Sequence, residues 1–120
     1  MNKLYRINIK DLPKSLINHG SGKKIVFVNN EDTKTALTQF AWSRFESGES
    51  CKQHSHPTMD EYFFVYKGSG IYEIGDEVLS LKEGDFIQIP ANTKHKLYLD
   101  INDEKLELVY FGIDITYSSK

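Results

Sequence analysis

Cysteine, tryptophan and proline are scarce in this chain, which has one Cys, one Trp and three Pro among 120 residues. The single cysteine, Cys51, can form no disulfide within the chain, so a small secreted domain stapled by disulfides is excluded. No arginine-rich block or basic face occurs, and with a net charge of −2 no nucleic-acid partner is expected. No apolar run approaches the length that spans a bilayer, and the opening "MNKLYRINIKDL" lacks the apolar core of a secretory signal. No membrane partner is expected either, and a cytoplasmic location is the default. Internal repeats and low-complexity linkers are also missing, which points to one domain over residues 1–120. A chain of this length can bury a core without metal or disulfide staples.

What the sequence does have is a series of short alternating segments set apart by turn residues. "KKIVFV" closes at Asn29-Asn30, and "TALTQFAWSRF" ends at "ESGES". "EYFFVYKG" follows, and "GIYEIGDEVLSL" reads as a hairpin turning at Gly75-Asp76. "FIQIP" comes next, and "HKLYLDI" turns near Asn102-Asp103 into "KLELVYFGID". β-branched and aromatic residues are dense, helical spacing of apolar residues is nearly absent, and only residues 11–18 could hold a helical turn. The pattern predicts an all-β domain of two packed sheets or a closed barrel. Gly48, Gly68, Gly75 and Gly84 read as turn positions with positive φ.

Two of only four histidines fall one residue apart in "HSHPTMDEYFFVYKGSG". Residues two apart in a strand share a face, so His54 and His56 project together. Pro57 suits the end of that strand, and Glu61 opens the next, where it shares a face with Phe63 and Val65. Pairing of the two strands across the turn would bring Glu61 to the same interior as the imidazoles. His95 begins a later strand on a face with Leu97 and Leu99. Three neutral imidazoles and one carboxylate are a good donor set for a divalent transition metal, and a bound cation would offset the cost of burying them.

The same residues carry a family resemblance. Gly48, His54, His56, Glu61 and Gly68 match every fixed position of the first cupin motif, and Gly84, Pro90 and His95 match the second. Asn92 stands where that second motif has glycine, and Leu99 where it has asparagine. Asparagine is the substitute that best tolerates a left-handed backbone. The resemblance spans residues 48–99. It implies a cupin-type double-stranded β-helix (a jelly-roll barrel), a homodimer, and a divalent metal ion (Fe, Mn, Ni, Zn, Co or Cu) held by His54, His56, Glu61 and His95.

Other residues read more plainly. His19 lies in a polar loop and is expected to be solvated. Cys51, three residues before His54, should point away from the ligands as a small hydrophobe. Lys52, two before His54, either reaches solvent or meets an anionic substrate. Trp42 and Arg44 share a face, as packing or as a clamp at the barrel mouth. "EYFFVY" reads as apolar core. The implied function is metal-dependent chemistry on a small polar metabolite, such as a sugar or a hydroxy or keto acid, of isomerase, epimerase or lyase type. The alternatives are an Fe(II)-dependent dioxygenase and a binding module without turnover.

Overall fold

The computed structural model describes residues 4–17 and 20–118. Among the described residues ten strands form two antiparallel sheets. They are β1 (Ser15–Leu16), β2 (Lys23–Asn29), β3 (Leu37–Phe45), β4 (Ser50–His54), β5 (Met59–Lys67), β6 (Ser69–Ile74), β7 (Glu77–Lys82), β8 (Phe86–Ile89), β9 (His95–Tyr98) and β10 (Leu106–Asp114). One sheet has six strands in the order β1-β2-β3-β10-β5-β8, and the other has four in the order β4-β9-β6-β7. From β3 onward the chain crosses repeatedly from one sheet to the other, as in a jelly roll. The expected all-β barrel is the observed fold. No helix among the described residues is long and apolar enough to cross a membrane.

The core lies between the sheets and follows the period of two. In β5, Glu61, Phe63 and Val65 are buried, and in β10, Leu106, Leu108 and Tyr110 are. "EYFFVY" is therefore only half core. Its alternate members point outward, leaving Phe64 42% and Tyr66 51% exposed. Five rings from adjacent strands run across that outer face. Phe27 meets Phe40 edge-on at 5.7 Å, and Phe40 stacks on Phe111 at 6.2 Å. Phe111 stacks on Tyr62 at 4.8 Å, and Tyr62 on Phe86 at 6.3 Å.

The helical turn expected within residues 11–18 is not there. A 3-10 turn covers Ile9–Asp11, and Ser15–Leu16 pairs as a strand with Lys24 and Lys23. Pro13, between them, favours extended backbone in the residue before it. A short helix, α1 (Asn30–Thr33), follows β2 instead, closed by a reciprocal cap between Asn29 and Asp32. The turn at Gly75 is a two-residue hairpin with Ile74 opposite Glu77. Gly48, Gly68, Gly75 and Gly84 all have positive φ, and so does Asn92, at 65°.

Gly68 joins β5 to β6 with φ of 88°, and a Cβ there would overlap the Lys105 carbonyl. Gly84 has a similar φ of 93° but open space where a Cβ would stand. Gly84→Ala should therefore cost only the ~1–2 kcal/mol of left-handed backbone. Gly68→Ala should cost clearly more, because backbone must also move. Urea denaturation of the two variants measures the difference, and equal losses would contradict the close approach at Gly68.

Candidate metal centre

His54 ends β4, His95 opens β9, and Glu61 lies in β5. The expected pairing of the first two histidine and glutamate strands does not occur: β4 pairs with β9, and β5 with β10 and β8. Glu61 reaches the imidazoles from the opposite sheet, across the barrel interior. His56 lies beyond the end of β4, in the connection to β5, so strand parity does not place it. Its carbonyl accepts from the backbone N–H of Asn92 at 2.8 Å. The left-handed Asn92 thus holds the loop that carries His56.

The four side chains converge. One donor atom from each of His54, His56, Glu61 and His95 lies within 4.8 Å of the other three. Bonds of about 2.0–2.2 Å to a first-row metal put ligand atoms on opposite sides of an ion roughly 4 Å apart. Glu61 Oε1 is 3.3 Å from both His56 Nε2 and His95 Nε2. His95 is 2% exposed and Glu61 6%.

Backbone carbonyls decide which ring nitrogens face this cluster. His54 Nδ1 lies 2.7 Å from the Lys52 carbonyl, and His95 Nδ1 lies 2.8 Å from the Thr93 carbonyl. A carbonyl oxygen only accepts, so each Nδ1 carries a proton, and in the neutral imidazole that a metal requires each Nε2 presents a lone pair. The close contact between His95 Nε2 and Glu61 Oε1 is then a meeting of two acceptors. Neither atom has a hydrogen-bond partner although both are buried. Leaving such groups unpaired costs about 1–3 kcal/mol each, more when charged. A cation between them removes that cost. The residues present fit a divalent transition metal, in donor type, tautomer and spacing.

The cavity beside the cluster, about 120 Å³, is walled largely by apolar side chains, with Ser43, Tyr72 and Tyr110 among its polar members. Ser43 Oγ and the Tyr110 hydroxyl are 2.8 Å apart. Burial pushes the Tyr110 phenol up to about 12 and Tyr72 well above the ordinary tyrosine range. Both therefore remain protonated donors at neutral pH. Lys24, on β2, also lines the cavity. Burial lowers its ammonium below the usual lysine range, against the opposing pull of the Glu61 carboxylate.

Several expectations change here. Cys51 does not point away: it lines the cavity, and its Sγ is 3.9 Å from His54 Nδ1. The cause is a bulge. Cys51 pairs with Leu97 and His54 with His95, so three steps along β4 match two along β9 and the parity reverses. Lys52 is exposed to solvent. Trp42 and Arg44 lie outside the cavity lining, with Trp42 donating to Glu107 at 3.0 Å and Arg44 paired to Glu46 at 2.7 Å. They are packing and surface residues, not a clamp. Lys24, Ser43, Tyr72 and Tyr110 went unnoticed in the sequence; the alternation of "KKIVFV" was the one available sign, since it turns one of its two lysines inward. His19 lies outside the described residues.

Residues 41–112 match the Cupin domain family, which is more than half of the chain. The chain belongs to the cupin family. A curated relative, the uncharacterized protein MJ1618 of Methanocaldococcus jannaschii, is 34% identical over 50 residues, 42% of this chain. That match covers 40% of the relative's length. Among solved structures, a predicted oxalate decarboxylase from Thermotoga maritima superposes with a TM-score of 0.81 at 18% identity, over 92% of this chain and 99% of that one. The polyketide cyclase RemF from Streptomyces resistomycificus has a TM-score of 0.76 at 14% identity, over 98% and 89%. KdgF from Halomonas sp. has a TM-score of 0.68 at 19% identity, over 87% and 90%. At such identities these neighbours establish a shared cupin fold and leave the reaction open.

The inward position of Cys51 can be checked in metal-free protein. Burial, with the Glu61 carboxylate adding to it, pushes the Cys51 thiol up to about 11. Raising the pKa delays the thiolate, so at pH 8 iodoacetamide should modify folded protein far more slowly than urea-unfolded protein. The rate should climb toward pH 11. Mass spectrometry follows the adduct, and equal rates in the two states at pH 8 would contradict the buried placement.

Proposed function

We propose that this cupin is a metal-dependent enzyme acting on a small polar metabolite, with His54, His56, Glu61 and His95 as the ligands of one divalent transition metal ion. The observation that carries this reading is the convergence of three imidazoles on one buried carboxylate, with Glu61 Oε1 3.3 Å from both His56 Nε2 and His95 Nε2 and neither Glu61 Oε1 nor His95 Nε2 in a hydrogen bond. When bound there, the metal supplies Lewis acidity, or a redox centre if it is iron, manganese, nickel or copper. The chain supplies the rest. His54 and His95 are held in the Nε2-donor tautomer by the Lys52 and Thr93 carbonyls. Tyr72 and Tyr110, kept protonated by burial, are donors for oxygen that gains negative charge in the cavity. The apolar walls limit water and so strengthen every polar contact inside. The names of two structural neighbours, a predicted oxalate decarboxylase and a polyketide cyclase, support chemistry on small oxygen-rich molecules in barrels of this shape.

Melting curves and metal titrations test the ligand set. Wild type should gain about 2.7 kcal/mol of stability at a metal concentration 100 times the dissociation constant. Glu61→Gln and His56→Ala should lose metal affinity by at least the about 10–100-fold that follows loss of a supporting partner. Both should stay folded, and a chelator should not unfold wild type, because the core is built from other side chains. Proton and metal compete for the same imidazole lone pairs, so affinity should fall below about pH 6.5. Unchanged metal binding in both variants would defeat the assignment. His56→Ala should also abolish turnover. Oxygen uptake on Fe(II) loading would specify a dioxygenase, and a ligand retained unchanged would specify a binding module.

One cupin domain over residues 1–120, assembled as a homodimer, completes this reading. The outer row of rings supports it, since Phe86 is 63% and Phe64 42% exposed. Phe86→Lys should shift the mass measured by light scattering from dimer to monomer at micromolar concentration. A wild type already monomeric there would contradict the dimer.

A further inference from the structure

Lys24 is the only lysine or arginine among the described residues that line the metal-site cavity. It sits in β2 opposite Ser43, whose side chain is buried and bonded to Tyr110. Its neighbour Lys23 is exposed. Lys24 is half-buried in the structure, and this burial lowers its ammonium below the usual lysine range. Among the described residues no carboxylate lies within 4 Å of it. Glu61 is the one acidic side chain of the cavity wall. A lysine placed only for solubility belongs on the outer face, where Lys23 already is.

The charge balance of the cavity says what such a lysine is for. The histidines are neutral when they bind metal. A divalent ion beside the single Glu61 carboxylate leaves one positive charge in excess, and Lys24 makes two. Away from bulk water such an excess favours an anion.

We infer that Lys24 binds the carboxylate of a small organic acid, so that the cavity selects anionic hydroxy, keto or dicarboxylic acids over neutral sugars. The inference rests on the metal reading above and narrows it to a substrate class. Gln39, which lines the same cavity from β3, offers an amide to the same ligand. Lys24 is a specificity-determining residue in this scheme, and the ligand's other oxygens face the His and Glu cluster.

The probe is malonate, with malonamide as an uncharged analogue of similar size, measured by isothermal titration. Co(II) absorption first reports loading in wild type, Lys24→Gln, Lys24→Arg and Lys23→Gln. Loading should be equal in all four. Malonate should bind Co(II)-loaded wild type and Lys23→Gln alike, bind Lys24→Arg within about threefold, and bind Lys24→Gln at least tenfold more weakly. Malonamide should not distinguish wild type from Lys24→Gln. Absence of malonate binding to wild type, or equal binding by Lys24→Gln, overturns the inference. Failure of Co(II) to load sinks the metal reading alone. The same comparison is then made on metal-free protein, where the tenfold loss is still expected because the ammonium acts directly on the carboxylate.

Discussion

Two buried acceptors that face each other, Glu61 Oε1 and His95 Nε2, impose the constraint around which the rest of this barrel is arranged. Neither is exposed to water, and the contact of His95 Nδ1 with the Thr93 carbonyl at 2.8 Å turns Nε2 toward Glu61. Such an arrangement persists only if the surrounding fold over-determines it. Here it does. Glu61 is fixed in the six-stranded sheet on β5, between β10 and the edge strand β8. His54 and His95 are register partners in the four-stranded sheet. The donor atoms thus meet between the two sheets.

The barrel can sustain these buried polar groups because much of the rest of its interior is hydrocarbon. Val65, Leu81, Leu97, Leu99, Leu106 and Leu108 are each at most 4% exposed and pack as one cluster. Burial of a Leu or Val side chain contributes about 1.5–3 kcal/mol, so a few of them outweigh the unpaired acceptors. Core and cavity adjoin, and Leu97 and Leu108 belong to both. Tyr72 and Tyr110 also belong to both, and Ser43, bonded to Tyr110 at 2.8 Å, lines the cavity beside them.

The alternation that builds the core also sorts charge. Lys23 and Lys24 are chemically alike, yet one lies in water and the other in the cavity wall. Tyr62, Phe64 and Phe86 face outward by the same rule that sends Phe63 inward, leaving a ring-covered sheet on the outside. A period of two assigns each strand residue to a face with no regard to its polarity. Inward polar residues and outward aromatic ones are therefore the positions that need another explanation.

Much of this was legible in the chain before any coordinates. The short alternating segments determine an all-β barrel, because period-two patterns bury one face of each strand and too few helical stretches exist to do otherwise. The spacing around His54, His56, Glu61 and His95 identifies the cluster, and the glycine and asparagine turns are set by residue types that accept positive φ. Other features belong to the tertiary structure alone. Strand pairing, with β4 and β5 in opposite sheets, depends on contacts between distant segments that no local pattern encodes. The bulge in β4 that turns Cys51 inward is a mismatch with β9, so it exists only when both strands are present. Lys24 entered the cavity for the same reason: its own strand decided which face it takes, but only the closed barrel decided that this face looks onto Glu61.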